Sequence, residues 1–223
     1  MIWPFRRRAR RRRDHWWTVF PRLWRWTVWI TRLLLLLFIV DLFYLGSQWP
    51  DWEGLSKNAI PQSNFIRAYK KQRQLDKTLP PLRWQPVSFS DIPKFVGRMV
   101  IVAEDSRFYW HDGFDLLAFK DAMDYNLSEG KMAFGASTIS QQTVKNLFLS
   151  GSRSPLRKWH ELLLTWSMER NLKKDRILEL YLNIAEFGQG IYGVEAASLY
   201  YWDKPVSELS RVQAAELAAS LPS

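Results

Sequence analysis

The chain contains no cysteine, which excludes disulfides and thiolate metal ligation. Its three histidines, at 15, 111 and 160, cannot assemble a zinc site, since one lies in a basic N-terminal stretch. Acid is nearly missing from residues 1–32, which hold ten Arg, no Lys and only Asp14, a net charge of +9. Taken from the whole chain's +10, this leaves +1 from Leu33 onward. An evenly basic surface for tracking phosphates is therefore absent, and nucleic acid is not an expected partner. Internal repeats, low-complexity tracts beyond the arginine run and convincing strand alternation are also lacking. Gly188, Gly190 and Gly193 imitate a dinucleotide loop only superficially; with helical flanks expected, they read as turn glycines.

What is present begins with an anchor. Trp26 to Leu45 reads WTVWITRLLLLLFIVDLFYL, about 20 residues and about 30 Å of helix, one hydrocarbon thickness. Arg32 and Asp41 interrupt it near its ends, from where both side chains can reach headgroups. Eight of the 13 Trp fall at or before position 52, on both sides of the apolar run, as an aromatic belt does. The arginines precede the span, so the positive-inside rule places residues 1–25 in the cytoplasm and the remainder across the membrane. A cleaved signal peptide shares this pattern, but no A-x-A-like site follows Leu45. A retained signal anchor over 26–45 is expected.

Residues 46–85, punctuated by Pro50, Gly54, Pro61, Pro80 and Pro81, read as a juxtamembrane stalk carrying a basic amphipathic stretch from Phe65 to Leu75. From 86 to 223 only helices are expected. Phe95, Val96, Met99, Val100 and Ala103 recur at three and four, as do Leu116, Phe119 and Met123, and Leu156, Trp159, Leu163 and Trp166. Ser154-Pro155 is an N-cap with Pro at N1, Asp175 is a candidate cap, and Ser210 with Gln213 forms a capping box.

Glu104 continues the apolar stripe of Val96 and Val100, so it should be partly desolvated. Burial raises a carboxyl pKa, which suits a general base; a capping or salt-bridge acid is the blander alternative. The surrounding string, Glu104-Asp105-Ser106-Arg107-Phe108-Tyr109-Trp110-His111-Asp112-Gly113-Phe114-Asp115, resembles E-D-x-x-F-x-x-H-x-G-x-D of the peptidoglycan glycosyltransferases, glycosyltransferase family 51. Three further motifs stand in family order. They are Gly135-Ala136-Ser137-Thr138-Ile139-Ser140-Gln141-Gln142 leading to Lys145-Asn146, then Arg157-Lys158-Trp159-His160-Glu161, then Lys174 to Asn183 running on to Val194. Ala136 stands where the family more often has Gly, and no penicillin-binding module follows, as in the monofunctional biosynthetic type.

The resemblance implies an all-α, lysozyme-like glycosyltransferase domain behind one transmembrane helix. It implies that Glu104 is the base and Glu161 the second essential carboxylate. Asp105, Phe108, His111, Thr138, Gln142, Lys145, Asn146, Arg157 and Lys158 are the implied substrate-binding residues. The implied reaction is inverting β-1,4 polymerisation of lipid II, with the lipid-linked strand as donor and polyprenyl diphosphate released. The bilayer and other wall-synthesis or division proteins are the implied surroundings. No cofactor is required; Mg²⁺ near Glu161 is left open, because hard oxygen ligands suit it but no dedicated cage is visible. Two plainer readings stay open: Arg157, Lys158 and Glu161 as a helix salt bridge, and Thr138, Gln142 and Asn146 as polar residues that only cap a turn. Glu179 and Asn183 read as fold-holding residues, and Phe148-Leu149 as an apolar loop that dips into the bilayer. Relative to the family pattern the chain stops early, at Ala218 to Ser223, so a domain short of its last helical stretch is expected. A lysozyme-like hydrolase is the runner-up and a non-enzymatic scaffold the third reading; the lysine and arginine cluster favours a diphosphate-bearing substrate.

Overall fold

A run of eight apolar residues, Leu33 to Val40, forms the middle of a 32-residue helix, α1 (Trp16–Ser47), in a computed structural model of the chain. The structure describes residues 16–130, 137–152 and 154–221, with side chains from Trp24 onward. Within α1, Trp24–Ser47 is long and apolar enough to cross a membrane, 24 residues or about 36 Å. Its hydroxyls are satisfied internally, Thr27 donating to the Trp24 carbonyl at 2.8 Å and Thr31 to that of Thr27 at 2.9 Å. Arg32 lies 5.7 Å from the Trp29 ring centroid, which lowers the cost of a cation in this helix. The basic tail before Trp16 lies outside the described residues.

A second compact unit starts at Asp51. This corrects the expected stalk over 46–85, since most of that stretch belongs to the folded unit. Helix α2 (Trp52–Lys57) buries Trp52, and Arg176 from a later helix holds the carbonyls of Leu55 at 2.8 Å and Asn58 at 2.6 Å. Helix α3 (Asn64–Leu75), capped by Ser63, buries Ile66 and Tyr69 against Tyr192, with Phe65, Leu79, Leu82 and Trp84 around them. The N-terminal part of this basic helix is thus packed on the domain, while Leu75 at its end is exposed.

Seven more helices follow among the described residues: α4 (Lys94–Glu104), α5 (Leu116–Glu129), α6 (Ile139–Phe148), α7 (Pro155–Asn171), α8 (Lys174–Ile184), α9 (Val194–Trp202) and α10 (Arg211–Ala219). Packing of α6 against α7 and α8 makes the centre, and α10 lies on α4. The expected caps at Ser154-Pro155 and Ser210/Gln213 are present. Asp175 is not a cap: Lys173 holds that position, and Asp175 accepts the Tyr109 hydroxyl at 3.0 Å. The expectation of helices alone is also corrected. Short strands β1 (Arg83–Trp84), β2 (Glu186–Gly188) and β3 (Ile191–Tyr192) form a sheet ordered β1-β3-β2, with β1 parallel and β2 antiparallel to β3. Strands of two or three residues are too short to show alternation.

The fold-holding reading of the fourth motif agrees with the geometry. Asn183, fully buried, accepts from Val87 N at 2.8 Å and donates to the Val87 and Glu179 carbonyls, while its own carbonyl accepts the Trp84 indole at 3.0 Å. Glu179 takes Phe89 N at 2.9 Å and Arg176 at 2.7 Å. Together they moor the segment 84–89 on α8. Asn183→Ala strands the Val87 N–H and carbonyl, at about 1–3 kcal/mol per buried unpaired group. Urea unfolding is expected to show a loss of at least about 2 kcal/mol, and a loss below about 0.5 kcal/mol would count against this mooring.

Candidate active site

Glu104 ends α4, where the periodicity of Val96 and Val100, both fully buried, brings it to the edge of the core half-exposed. Gln142 of α6 donates to its Oε2 at 2.7 Å, and the Tyr181 hydroxyl of α8 donates to Gln142 Oε1 at 3.2 Å, which fixes the amide's orientation. Burial, then the charges of Glu104 and Asp105, push the Tyr181 phenol well above its ordinary range, so it stays a donor. Among the described residues the second oxygen of Glu104 has no partner.

Asp105, next in sequence, turns the other way. Its buried carboxylate accepts Ile139 N, the first helical N–H of α6, at 3.0 Å and faces His111 Nε2 at 3.0 Å. Because Gly113 N donates to His111 Nδ1 at 3.1 Å, Nδ1 is the acceptor and Nε2 carries the proton given to Asp105. Phe108 is fully buried with Lys174 4.5 Å from its ring centroid. Thr138 is buried too; its hydroxyl donates to the Gly113 carbonyl at 2.7 Å and accepts Gln141 N in a complete capping box. Four residues expected to touch substrate, Asp105, Phe108, His111 and Thr138, lie in the wall behind Glu104, where the polar groups of Asp105, His111 and Thr138 are hydrogen-bonded within the protein. Gly113 closes that wall at φ +89°, where an added Cβ would meet Thr165 at 2.8 Å.

The exposed side of α6 brings Lys145 and Asn146 together, and neither side chain makes a hydrogen bond among the described residues. One turn into α7, Glu161 is buried between Arg157, 2.7 Å from its Oε2, and Lys158 on its Oε1. Burial lowers the Lys145 pKa, opposed by Glu161, reinforced by Arg157 and Lys158, and opposed again by Glu104. Lys145 thus feels both carboxylates and links the two halves of the site. Around Glu161 stand three cations for one carboxylate, an excess of two positive charges. Such surroundings do not fit Mg²⁺ at Glu161, since both its oxygens are held by cations. A second oxygen-rich group, Asp105, His111 and Asp115, brings ligand atoms within 4.8 Å of one another. There Arg107 already clamps Asp115 at 2.8 and 2.5 Å, and a metal would have to displace the His111 proton. Burial raises the Asp115 pKa, but the Ala118 N–H and Arg107 outweigh it and leave the group low.

The model of the family described as transglycosylase matches residues 71–223, more than two thirds of the chain. The chain belongs to the transglycosylase family. It is 37% identical over 205 residues to a biosynthetic peptidoglycan transglycosylase of Nitrosospira multiformis, covering 92% of this chain and 87% of the relative. It is 41% identical over 203 residues to one from Thiobacillus denitrificans, covering 90% and 85%. With one from Ralstonia nicotianae it shares 48% over 140 residues, 63% of this chain and 59% of that protein. As a member of this family it is a glycosyltransferase.

Sequence reasoning passed over two parts of this transglycosylase's site. Tyr181 lies in the fourth motif, whose Glu179 and Asn183 read as fold-holding, yet it stands behind Gln142. Glu186, on β2, lines a cavity of about 90 Å³ together with Gln142, Lys145 and Asn146. No motif spacing pointed to Glu186; only the sheet brings it there. The lowered Lys145 pKa means that the folded chain holds this proton less tightly than the unfolded chain. Charged Lys145 therefore costs stability at every pH below its folded pKa, a cost relieved as pH rises through that value. Lys145→Met is expected to raise the melting temperature at pH 7, and a fall would remove the argument that the cation is held at the fold's expense.

Proposed function

We propose that this transglycosylase polymerises peptidoglycan glycan strands from a lipid-linked disaccharide, with Glu104 as general base and Lys145, Arg157 and Lys158 facing the diphosphate of the donor. One observation carries this reading: a carboxylate with an open oxygen on one side of Lys145, and an uncompensated cation cluster on the other. Attack by a sugar 4-hydroxyl on an anomeric carbon needs its proton removed while negative charge grows on the departing diphosphate. The Tyr181–Gln142 chain holds one Glu104 oxygen and leaves the other to take the proton. The fixed cations oppose the growing charge without reorganising, which is where electrostatic catalysis gains most. Glu161 has a positioning role, keeping Arg157 and Lys158 aimed at one spot. A single displacement inverts the anomeric centre and yields a β-1,4 link from an α-linked donor.

Two outward faces support a lipid-linked substrate. On α5, Leu116, Leu117, Phe119 and Leu127 are exposed. Helix α7 exposes Leu156, Trp159 and Trp166, while its inner side holds His160, Glu161, Thr165 and Ser167 together with Leu164 and Met168. An apolar groove of about 670 Å³, lined by Phe114, Leu116, Phe119, Leu162 and Leu163, has Lys158 on its rim. Apolar stripes pointing outward on two helices fit a bilayer surface or acyl chains. Phe148 does not serve there, since it packs edge-on against Trp52 with centroids 5.6 Å apart. With α1 as anchor and the positive-inside rule for its arginines, the domain works on the outer face of the cytoplasmic membrane.

Glu104→Gln keeps the shape and the Gln142 contact but removes the base. Gel separation of products from lipid-linked disaccharide is expected to show long strands for the native chain and a loss of about 10²-fold or more for the variant. Shortened pre-formed glycan instead of new strands would favour the hydrolase reading. The pH profile adds a second check. Because Lys145 loses its proton below the ordinary lysine value of 10.5, activity should fall on an alkaline limb lying under that pH. Lys145→Arg should move the limb upward; an unmoved limb would take Lys145 out of the charge-stabilising role.

A further inference from the structure

The cavity bounded by Glu186 and Asn146 is too small for a sugar ring. At about 90 Å³ it holds roughly three waters' worth of volume, or a substituent of four heavy atoms. Its lining is mixed in kind. Phe65, Ala185 and Leu221 supply apolar surface, Lys145 a cation and Tyr181, Tyr192 and Gln142 polar groups; Asn146 brings an amide with no other partner among the described residues, and Glu186 a carboxylate. That carboxylate accepts from Gly190 N at 3.2 Å and from the Tyr192 hydroxyl, which leaves acceptor capacity unused. A methyl needs the apolar surface, a carbonyl oxygen the Asn146 amide and an amide N–H the carboxylate. A hydroxyl or hydroxymethyl would leave the apolar wall unfilled.

We propose that this cavity is an acetamido subsite of the same active site, in which Glu186 accepts the amide N–H and Asn146 donates to the carbonyl of a 2-acetamido sugar. The proposal rests on the glycan-polymerase reading and deepens it, since it makes Glu186 a specificity residue for N-acetylhexosamine units. The surrounding geometry is braced for such a task. Gly190, at φ +77°, lies so close to Tyr69 that an added Cβ would stand 2.5 Å from its hydroxyl oxygen, and Tyr69 itself donates to the Pro80 carbonyl at 2.9 Å. The β2–β3 turn is thereby pinned against α3, and Glu186 with it. Burial, followed by the Glu186 charge, raises the Tyr69 pKa.

A purely structural role for Glu186 predicts a different outcome from a recognition role. Glu186→Gln retains an oxygen for Gly190 N, so a turn-holding residue would tolerate it, whereas an N–H acceptor loses its charge and strength. With the full chain in detergent and lipid-linked disaccharide as substrate, the variant is expected to raise KM about tenfold with kcat within about twofold and the melting temperature unchanged. The native chain should use a substrate whose GlcNAc bears N-propionyl in place of N-acetyl about 10–200-fold less well, the usual penalty for one methylene too many. Phe65→Leu, which shortens the apolar wall, should narrow that gap. Equal use of the two acyl groups by the native chain, or an unchanged KM for Glu186→Gln, overturns the subsite. If the native chain polymerises neither substrate, the polymerase reading fails by itself. The subsite is then judged by the affinity of the Glu104→Gln protein for the two disaccharides: an N-acetyl preference supports it and equal affinity overturns it.

Discussion

The buried carboxylate of Asp105 is the contact on which the site's geometry depends. It ends α4 and at the same time satisfies the first N–H of α6, thirty-four residues on, so the helix carrying Glu104 and the helix carrying Gln142, Lys145 and Asn146 are tied at one atom. His111 holds the other side of that carboxylate and is itself held by Gly113 N, whose carbonyl partner is the Thr138 cap. Each residue satisfies a group that would otherwise be buried unpaired, so no member can be lost without orphaning the next. Behind them Glu169 takes both Ser140 and Lys174, which extends the network to α8. The outcome is a rigid backing for Glu104, whose second oxygen has no hydrogen-bond partner among the described residues.

In front of that backing the charge is deliberately unbalanced. Glu161 is covered by Arg157 and Lys158, and Lys145 is added without a carboxylate of its own within salt-bridge reach. A chain optimised for stability would remove a half-buried ammonium or pair it. On the polymerase reading the imbalance has a use: the missing negative charge arrives with the substrate, and grows as the diphosphate leaves. In the free protein burial is the first cause that lowers the Lys145 pKa, and Arg157 and Lys158 add to it against Glu161 and Glu104. This is also why the salt-bridge reading of Arg157, Lys158 and Glu161 and the catalytic reading do not compete. The ion pairs are real, and they are what aims the surplus cations.

Much of this was legible in the sequence because it was local. Helical periods of three and four located the helices, Ser154-Pro155 and Ser210 to Gln213 announced their starts, and motif spacing brought Glu104, Lys145, Arg157 and Glu161 forward. Thr138 to Gln141 is the same capping signal as Ser210 to Gln213, so its structural role was readable but was outweighed by the motif it sits in. The small sheet was not legible: two-residue strands carry no period, and β1 reaches β3 from more than a hundred residues away. The packing of 51–85 was hidden for the same reason, since its prolines are loop signals while its partners, Tyr192 and Arg176, are distant in sequence. Glu186 inherits that opacity from the sheet.

Periodicity located α5 and α7 correctly but says nothing about which solvent a face meets, and here that distinction matters most. A helix in water mostly buries its apolar side chains; α7 buries Leu164 and Met168 but also His160, Glu161, Thr165 and Ser167, and it turns Leu156, Trp159 and Trp166 outward. Such exposure is unfavourable if the outer medium is water alone, because exposed indole and leucyl surface costs roughly 25 cal/mol per Å² relative to burial. It becomes favourable beside acyl chains. The inner, polar side of the same helix then carries Glu161, so one element can present apolar surface outward while its first turns hold cations beside the cleft. A lipid-linked diphosphate has that same division, a tail that prefers hydrocarbon and a head that needs cations. On this reading the outward apolar side chains of α7 and the charge surplus around Glu161 are two ends of one requirement. Neither is intelligible as a device for stability.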